Sequence, residues 1–365
     1  MRLRQTIGTF ALTCAAPALA TLGAQGVIDG GIHVGPQVAQ YQLKSPVDLK
    51  ISEFAMPLWT FVPITKAFSV DVGTAFASSR VRAATGGDSK ISGLTDTQVR
   101  MSYVIGNDAV VLTAGLNLPT GQSTAKVDQL AAATYIGNDF LVFPVASMGS
   151  GFGFTGGAAF ARTAGAWNLG LGGSVRRSSA YDPFEIDNVG TKFRYVPGNE
   201  YRGRFGADRL AGNGRVSFGL TYSTFGRDEA GGSVYNSGDR WIAQASYGGV
   251  VGAGELTLAA WDLFRASGEL ADGSKTGREQ ILDGLLAYGF HPNGILVEPS
   301  LEGRVWAQQG FSSSNMVNLG LRSRFNAGAL SVMPAVKYAL GKMAGVGQSA
   351  DLTGWQAVVS FGLGR

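Results

Sequence analysis

Near its C-terminus the chain reads Leu352-Thr-Gly-Trp-Gln-Ala-Val-Val-Ser-Phe-Gly-Leu363, and alternate residues sort by polarity. Trp355, Ala357, Val359, Phe361 and Leu363 share one register; Gly354, Gln356, Val358, Ser360 and Gly362 share the other. Successive strand side chains point to opposite faces, so the stretch is a strand with one apolar, aromatic face. The same period-two pattern recurs along the chain. It covers Ile32–Leu43, Leu49–Val62, Ala67–Val81, Leu94–Ile105, Ala109–Leu118, Gly151–Thr163, Trp167–Tyr181 and Tyr201–Leu210. It returns at Arg215–Arg227, Arg240–Val251, Glu255–Ala266, Arg278–His291, Ile295–Ala307, Met316–Phe325 and Ala329–Met343. With the last segment this makes about 16 strands, the even number such barrels require; if the first is a plug or arm, parity requires one further segment to drop out as well, leaving about 14.

Gly106-Asn-Asp108, Ala211-Gly-Asn-Gly214, Gly252-Ala-Gly254, Pro292-Asn-Gly294 and Asn326-Ala-Gly328 separate strands as tight hairpin turns do. They alternate with longer connections at Arg82–Gly93, Pro119–Ser150, Asp182–Glu200, Asp228–Asp239, Ser267–Gly277, Gln308–Asn315 and Ala344–Asp351. Short periplasmic turns and long external loops are the habit of outer-membrane barrels. The expected fold is therefore all-β, a transmembrane antiparallel β-barrel spanning 32–365 as one domain.

The N-terminus fits an exported protein. Arg2 and Arg4 precede an apolar run from Ile7 to Leu19. Ala18-Leu-Ala20 makes a cleavage site, with Leu22-Gly-Ala24 a second one, so residues 1–20 or 1–24 are expected to be removed. Residues 21–31 are then a short arm. The single cysteine, Cys14, lies in the removed run, so the mature chain is expected to have no disulfide and no thiolate chemistry. Beyond the signal no apolar run reaches the ~18 residues of a membrane helix. Yet charged residues make up only 15% of the chain and glycines number 54, against ~25% charge in ordinary soluble domains. The formal net charge of +4 falls to +2 without Arg2 and Arg4, too small to imply nucleic acid as a partner. Membrane lipid and the outer-membrane assembly machinery are the partners this architecture requires.

Alternation also separates lipid-facing from lumen-facing residues. Tyr201, Gly203, Phe205 and Ala207 oppose Glu200, Arg202, Arg204 and Asp208. Ile295, Val297, Leu301 and Val305 oppose Glu298, Glu302 and Arg304; Val317, Leu319 and Leu321 oppose Arg322 and Arg324. A cation on the lipid face at mid-bilayer costs ~2–4 kcal/mol, so the charged faces should point inward. With Glu279 and Asp283 they form either a solute-selecting stripe or a ladder of ion pairs that fills the lumen. Two strands fit less well. Asp262 falls on the face of Leu256 and Leu258, and Leu49–Val62 changes polarity register near Trp59. A bulge or a strand end at the interface would explain either. Tyr103, Trp167, Tyr181, Tyr288, Phe290, Trp306, Phe311 and Phe361 sit near strand ends, where interfacial girdles are built.

Catalytic patterns are missing from the sequence. The two histidines, His33 and His291, lack a neighbouring nucleophile, and no zinc cluster, phosphate loop or calcium loop occurs. No enzyme activity, metal or cofactor is expected. The connection 119–150 is the most informative functional stretch. Val127–Tyr135 suits a helix, and Phe140-Leu-Val-Phe-Pro-Val-Ala-Ser-Met148 is apolar where an external loop should be polar. Such a segment must bury itself. Leu130, Tyr135, Phe140, Phe143, Val145 and Met148 are expected either to gate the lumen or to anchor a structural plug.

Gly93-Leu-Thr-Asp-Thr97, followed by Gly115-Leu-Asn-Leu-Pro-Thr-Gly121, resembles the opening hairpins of the outer-membrane channels associated with phenol and aromatic degradation. That group is distantly similar to long-chain fatty-acid transporters. The similar stretch covers 52–157, with an echo in 195–208. The resemblance implies passive uptake of small hydrophobic or aromatic compounds and carries over no binding residue. This chain departs from the fatty-acid transporters in having no long N-terminal plug before its first strand. A non-conducting barrel plugged by loops and ion pairs is the alternative expectation.

Overall fold

The computed structural model describes residues 31–45, 48–84, 86–106, 109–187, 189–345 and 348–364. The expected signal peptide, its cleavage sites, Cys14 and the arm before Gly31 lie outside them. Eighteen strand segments form one antiparallel sheet that closes on itself. Two pairs of segments each continue a single stave, so the barrel has 16 staves. They are β1 (Gly31–Val34 with Gln37–Lys44), β2 (Leu49–Pro63), β3 (Phe68–Ala83), β4 (Asp88–Leu94 with Thr97–Ile105), β5 (Val110–Leu118), β6 (Gly153–Ala164), β7 (Trp167–Ser178) and β8 (Glu200–Ala211). Then follow β9 (Gly214–Phe225), β10 (Arg240–Val251), β11 (Gly254–Arg265), β12 (Glu279–Gly289), β13 (Leu296–Gln308), β14 (Ser314–Ala327), β15 (Leu330–Ala344) and β16 (Ser349–Gly364).

The first stave is a full member of the wall. It pairs with β16 through Gly31↔Gly364 and Gln37↔Val358, and with β2 through Gln37↔Ala55. Closure leaves no strand edge, which is what lets a sheet stand in hydrocarbon. The polarity of the faces is inverted relative to a soluble protein. Leu171, Phe205, Leu282, Leu319 and Tyr338 are exposed on the outside. Tyr41, Ile51, Glu53, Ile281 and Arg304 are buried inside. An exposed apolar band around a closed antiparallel barrel is the surface of a bacterial outer-membrane protein.

The barrel is taller on one side. β2, β3, β15 and β16 have 15 or 16 residues, whereas β6 to β11 have 12 each. Three or four extra residues add ~10–13 Å along the strand. This corrects the expected long connection at Arg82–Gly93. Asp88–Gly93 belongs to β4 and continues the ladder on β3, from Arg82↔Asp88 to Phe76↔Leu94. Its serines, lysine and aspartate read as loop by polarity, but they stand on a wall that projects beyond the membrane.

The strand ladders and ring contacts decide three further expectations. The ladder between β2 and β3 is unbroken from Leu49↔Ala83 to Pro63↔Ser69, so no bulge lies near Trp59. Trp59 is on the lumen face, where its ring lies 5.4 Å from that of His33 and its indole N–H donates to Asp71. The β11 ladder is also regular, and Asp262 stands near the external end of its stave, taking a hydrogen bond from Gln280 Nε2 at 3.0 Å. Trp306 and Tyr181 leave the list of girdle residues. Trp306 stacks on Phe140 inside the barrel, and Tyr181 belongs to a small external sheet. That sheet comprises Tyr181–Glu185, Lys192–Val196, Asp228–Ala230 and Ser233–Tyr235 and is knit by ring contacts: Tyr181–Tyr195, Phe184–Phe193 and Tyr195–Tyr235.

Candidate pore constriction

The connection between β5 and β6 turns into the lumen. After one 3-10 turn at Val127–Gln129 comes α1 (Leu130–Ile136), whose buried residues are Ala132 and Ile136. Gln129 steadies the entry by accepting from the Lys126 amide and from Gln122 Nε2. Asn138 Oδ1 then accepts the amides of Phe140 and Leu141, a tight local turn that sends both side chains into the wall. Phe140 stacks on Trp306 at 5.9 Å, and Phe143 meets Tyr41 edge-on at 5.3 Å. Phe140, Leu141, Phe143, Val145 and Met148 are all buried. They form one apolar cluster with Leu43, Ile51, Val81 and Leu352 of the tall staves, and Leu130 and Tyr135 pack against its margin. The loop's six expected functional residues are thus brought together, with their apolar surface turned toward the wall. Burying a side chain such as Phe or Leu contributes ~1.5–3 kcal/mol, so several together hold the loop firmly.

Polar side chains from separate staves complete the seat. Arg304 Nη1 on β13 donates to the Phe140 carbonyl at 3.2 Å, and Gln356 Nε2 on β16 to the Val142 carbonyl at 3.1 Å. Glu53 Oε1 on β2 accepts the Val145 amide at 2.8 Å. Ser89 Oγ on β4 accepts the Ala132 amide, and Arg265 on β11 pairs with Asp139 at 3.2 Å. Val142 itself has φ of 53°, a left-handed conformation unfavourable for a β-branched residue. The surrounding contacts hold that strain in place.

The two ends of the loop meet at Asp96, where β4 is interrupted. Its carboxylate accepts Asn117 Nδ2 at 2.7 Å, the Gly121 amide at 3.1 Å and the Ser150 amide at 2.7 Å. The neck is tight: a Cβ on Gly121 would lie 2.0 Å from the Met148 carbonyl oxygen and 2.6 Å from the Asp96 nitrogen. Only glycine fits there. Gly93–Thr97 and Gly115–Gly121, the stretches on which the family resemblance rests, are the two sides of this neck.

The lumen charges fall into groups. Arg304 is 3% exposed and pairs with Asp283 at 2.7 Å and with Glu302 at 3.3 Å, while Lys337 reaches Glu302 at 2.6 Å. Gly320 on β14 lies between Ser300 of β13 and Lys337 of β15, and a Cβ there would meet Ser300 Oγ at 2.3 Å. Two cations and two acids balance each other, as buried ionic groups must. Arg322 pairs with Glu298 at 2.8 Å, and Arg324 Nε lies 3.2 Å from Met333 Sδ. Across the lumen, Glu200 takes contacts from Arg202 at 2.5 Å and Arg240 at 3.2 Å. Glu279 pairs with Arg265 at 3.1 Å. Arg204 follows Arg202 on the lumen face of β8, and Arg176 stands beside Glu200 on β7. Around these arginines the wall is built of small residues: Gly157 and Ser174 face each other, as do Gly172 and Arg204, and Gly206 and Gly219.

Alternation alone did not single out Glu53, Asp96, Arg240, Arg265, Lys337, Tyr41 and Gln356. Lys337 was within reach of the same reasoning, because it alternates with the exposed Val336, Tyr338 and Leu340. Asp96 sits in a strand break whose role depends on residues 25 and 54 positions away. No local pattern marks such a partner.

No family model matches the chain, and no curated protein matches it. Among solved structures, an outer membrane channel from Pseudomonas putida F1 is 13% identical over 93% of this chain and 98% of that one, with a TM-score of 0.37. OprB of Pseudomonas putida is 10% identical over 91% and 93%, with a TM-score of 0.45. OccK7 of Pseudomonas aeruginosa is 12% identical over 92% and 99%, with a TM-score of 0.42. Likenesses this faint carry no weight for what the present chain does.

Proposed function

We propose that the protein is an outer-membrane channel for passive passage of small solutes, narrowed by the 119–150 loop and favouring polar anions. The seat of the loop is the observation that carries this reading. Its apolar side is packed on the tall wall formed by β16 and β1 to β4, so little of it is left to greet a hydrophobic solute. The opposite wall offers glycine, serine and threonine with Arg176, Arg202, Arg204 and Arg240 among them. Within that group Glu200 is the acid that Arg202 and Arg240 both contact. A low-dielectric passage lined mainly by one sign of charge concentrates ions of the other sign.

A second reading, passage of small aromatic compounds, has one feature in its favour. The external sheet presents Tyr181, Phe184, Phe193, Tyr195 and Tyr235 as a partly exposed set in which Phe184 stacks on Phe193 and Tyr195 on Tyr235 while Tyr181 meets Tyr195 edge-on, anchored to the loop where the Ala125 amide donates to the Pro183 carbonyl. The two readings separate in planar bilayers under a salt gradient. The anion reading expects a reversal potential of anion sign that moves toward cation selectivity in Arg202→Glu/Arg204→Glu. A cation-selective wild type would refute it, whereas uptake of phenols by proteoliposomes ahead of small carboxylates would favour the aromatic reading. A folded barrel with no conductance would leave the plugged, structural alternative.

A further inference from the structure

The outer face of the tall wall carries a belt of cations. Lys342, Lys44, Lys50, Arg80, Arg82 and Lys90 all lie on the register that points away from the lumen, on β15 and β1 to β4. They are neighbours across the staves: Lys342 faces Asp351, Asp351 faces Lys44, Lys50 faces Arg82, and Arg80 faces Lys90. The acids near them are Asp351, Asp88, which pairs with Arg80, and Asp48 in the turn above. Six cations against three acids leave a positive surplus.

Their height is informative. On the same face of the same staves Leu340, Phe54, Phe76 and Leu94 are exposed and apolar, two to four residues closer to the membrane middle. At ~3.3 Å per residue and a tilt near 40°, the cations stand ~5–10 Å above the apolar band. The headgroup layer occupies ~5–8 Å beyond the hydrocarbon. The belt is also one-sided. At the external ends of β7 to β11 the outward residues include Tyr201, Trp241 and Phe264, with one cation, Arg177, and the acids Asp239 and Asp262. A rim that served only to keep the protein in water would not need its cations on one flank.

We propose that this belt docks phosphorylated lipid headgroups of the outer leaflet. Lysine offers phosphate a point charge and arginine a two-pronged donor set. The exposed apolar residues directly below would hold the acyl chains of the same molecule, which free phosphate lacks. The site stands on the flank against which the inward loop is packed, so bound lipid would brace that wall from outside. It depends on the barrel's membrane orientation and not on whether the lumen conducts.

The test uses the full barrel refolded in detergent micelles and offered lipid A or dephosphorylated lipid A, with retained lipid read by native mass spectrometry. Wild type is expected to retain the phosphorylated form about tenfold better. Lys44→Gln/Lys50→Gln/Arg82→Gln/Lys90→Gln should lose that preference, and Arg177→Gln on the other flank should keep it. Equal retention of the two lipids by wild type, or full retention by the quadruple variant, would overturn the proposal. If the quadruple variant loses the heat-modifiable mobility of a folded barrel, Lys44→Gln/Lys90→Gln is measured against the same two outcomes. Inorganic phosphate at millimolar concentration should leave the lipid bound. Complete displacement would reassign the belt to free anions and sink the lipid reading.

Discussion

At the scale of single residues, Asp96 does most to decide where the loop goes. One carboxylate gathers an amide from each end of the loop and the Asn117 side chain. Asn at this position keeps the shape but gives up the charge and one acceptor. Charge-assisted hydrogen bonds contribute ~1.5–3 kcal/mol each, so Asp96→Asn should loosen the neck without unfolding the barrel. The expected result is a larger, noisier single-channel conductance together with thiol labelling of Phe140→Cys, placed in a Cys14→Ser background. Unchanged conductance with Phe140→Cys still protected would show that wall packing alone seats the loop. On the lipid face the expectation is different. Leu319 is 56% exposed in the middle of β14. Leu319→Arg should cost about 2–4 kcal/mol of folding free energy in vesicles, read from urea titration. A cost near zero would mean that this face does not meet hydrocarbon.

Among the elements, the loop and the external sheet behave as distinct units. Removing Asp128–Met148 deletes the apolar filling of the lumen and its contacts to Arg304, Gln356 and Glu53. Conductance should rise severalfold while the barrel keeps its heat-modifiable mobility; unchanged conductance would place the narrowest point elsewhere. In the external sheet, burial pushes the Tyr195 phenol up from its usual 10.0, and the nearby Asp228 carboxylate pushes the same way. A raised value in the folded state means that the stabilisation is complete below pH 10 and is withdrawn as pH rises beyond it. Protease cleavage between Tyr181 and Tyr235 should therefore accelerate at strongly alkaline pH, and Tyr195→Phe should flatten that dependence. A wild-type cleavage rate independent of pH would argue against it. Most of the staves were legible because lipid on one side and lumen on the other impose strict alternation, as in Val317, Leu319 and Leu321 against Asn318 and Arg322. Asp88–Gly93 escaped notice because above the membrane both faces can be polar. Trp59 misled because apolar side chains also line this lumen.

For the whole molecule, two asymmetries coincide. The tall flank holds the apolar loop inside and the cation belt outside, while the lower flank holds small residues and lumen arginines. Alternation made the inward-facing charges readable, and with them the pairs of Arg304 with Asp283 and Glu302, Arg322 with Glu298 and Arg202 with Glu200; the further partners Arg240, Arg265 and Lys337 were not read. Alternation reports which face a residue is on, whereas pairing depends on which staves the closed barrel brings opposite the loop. On the proposed reading the loop narrows the lumen and solutes pass on its arginine side. Purified protein reconstituted in a planar bilayer tests that most directly. Steady steps of conductance with anion selectivity, enlarged by removing Asp128–Met148, are the expected result. Fully folded protein that inserts and passes no current, with or without that segment, would contradict the account.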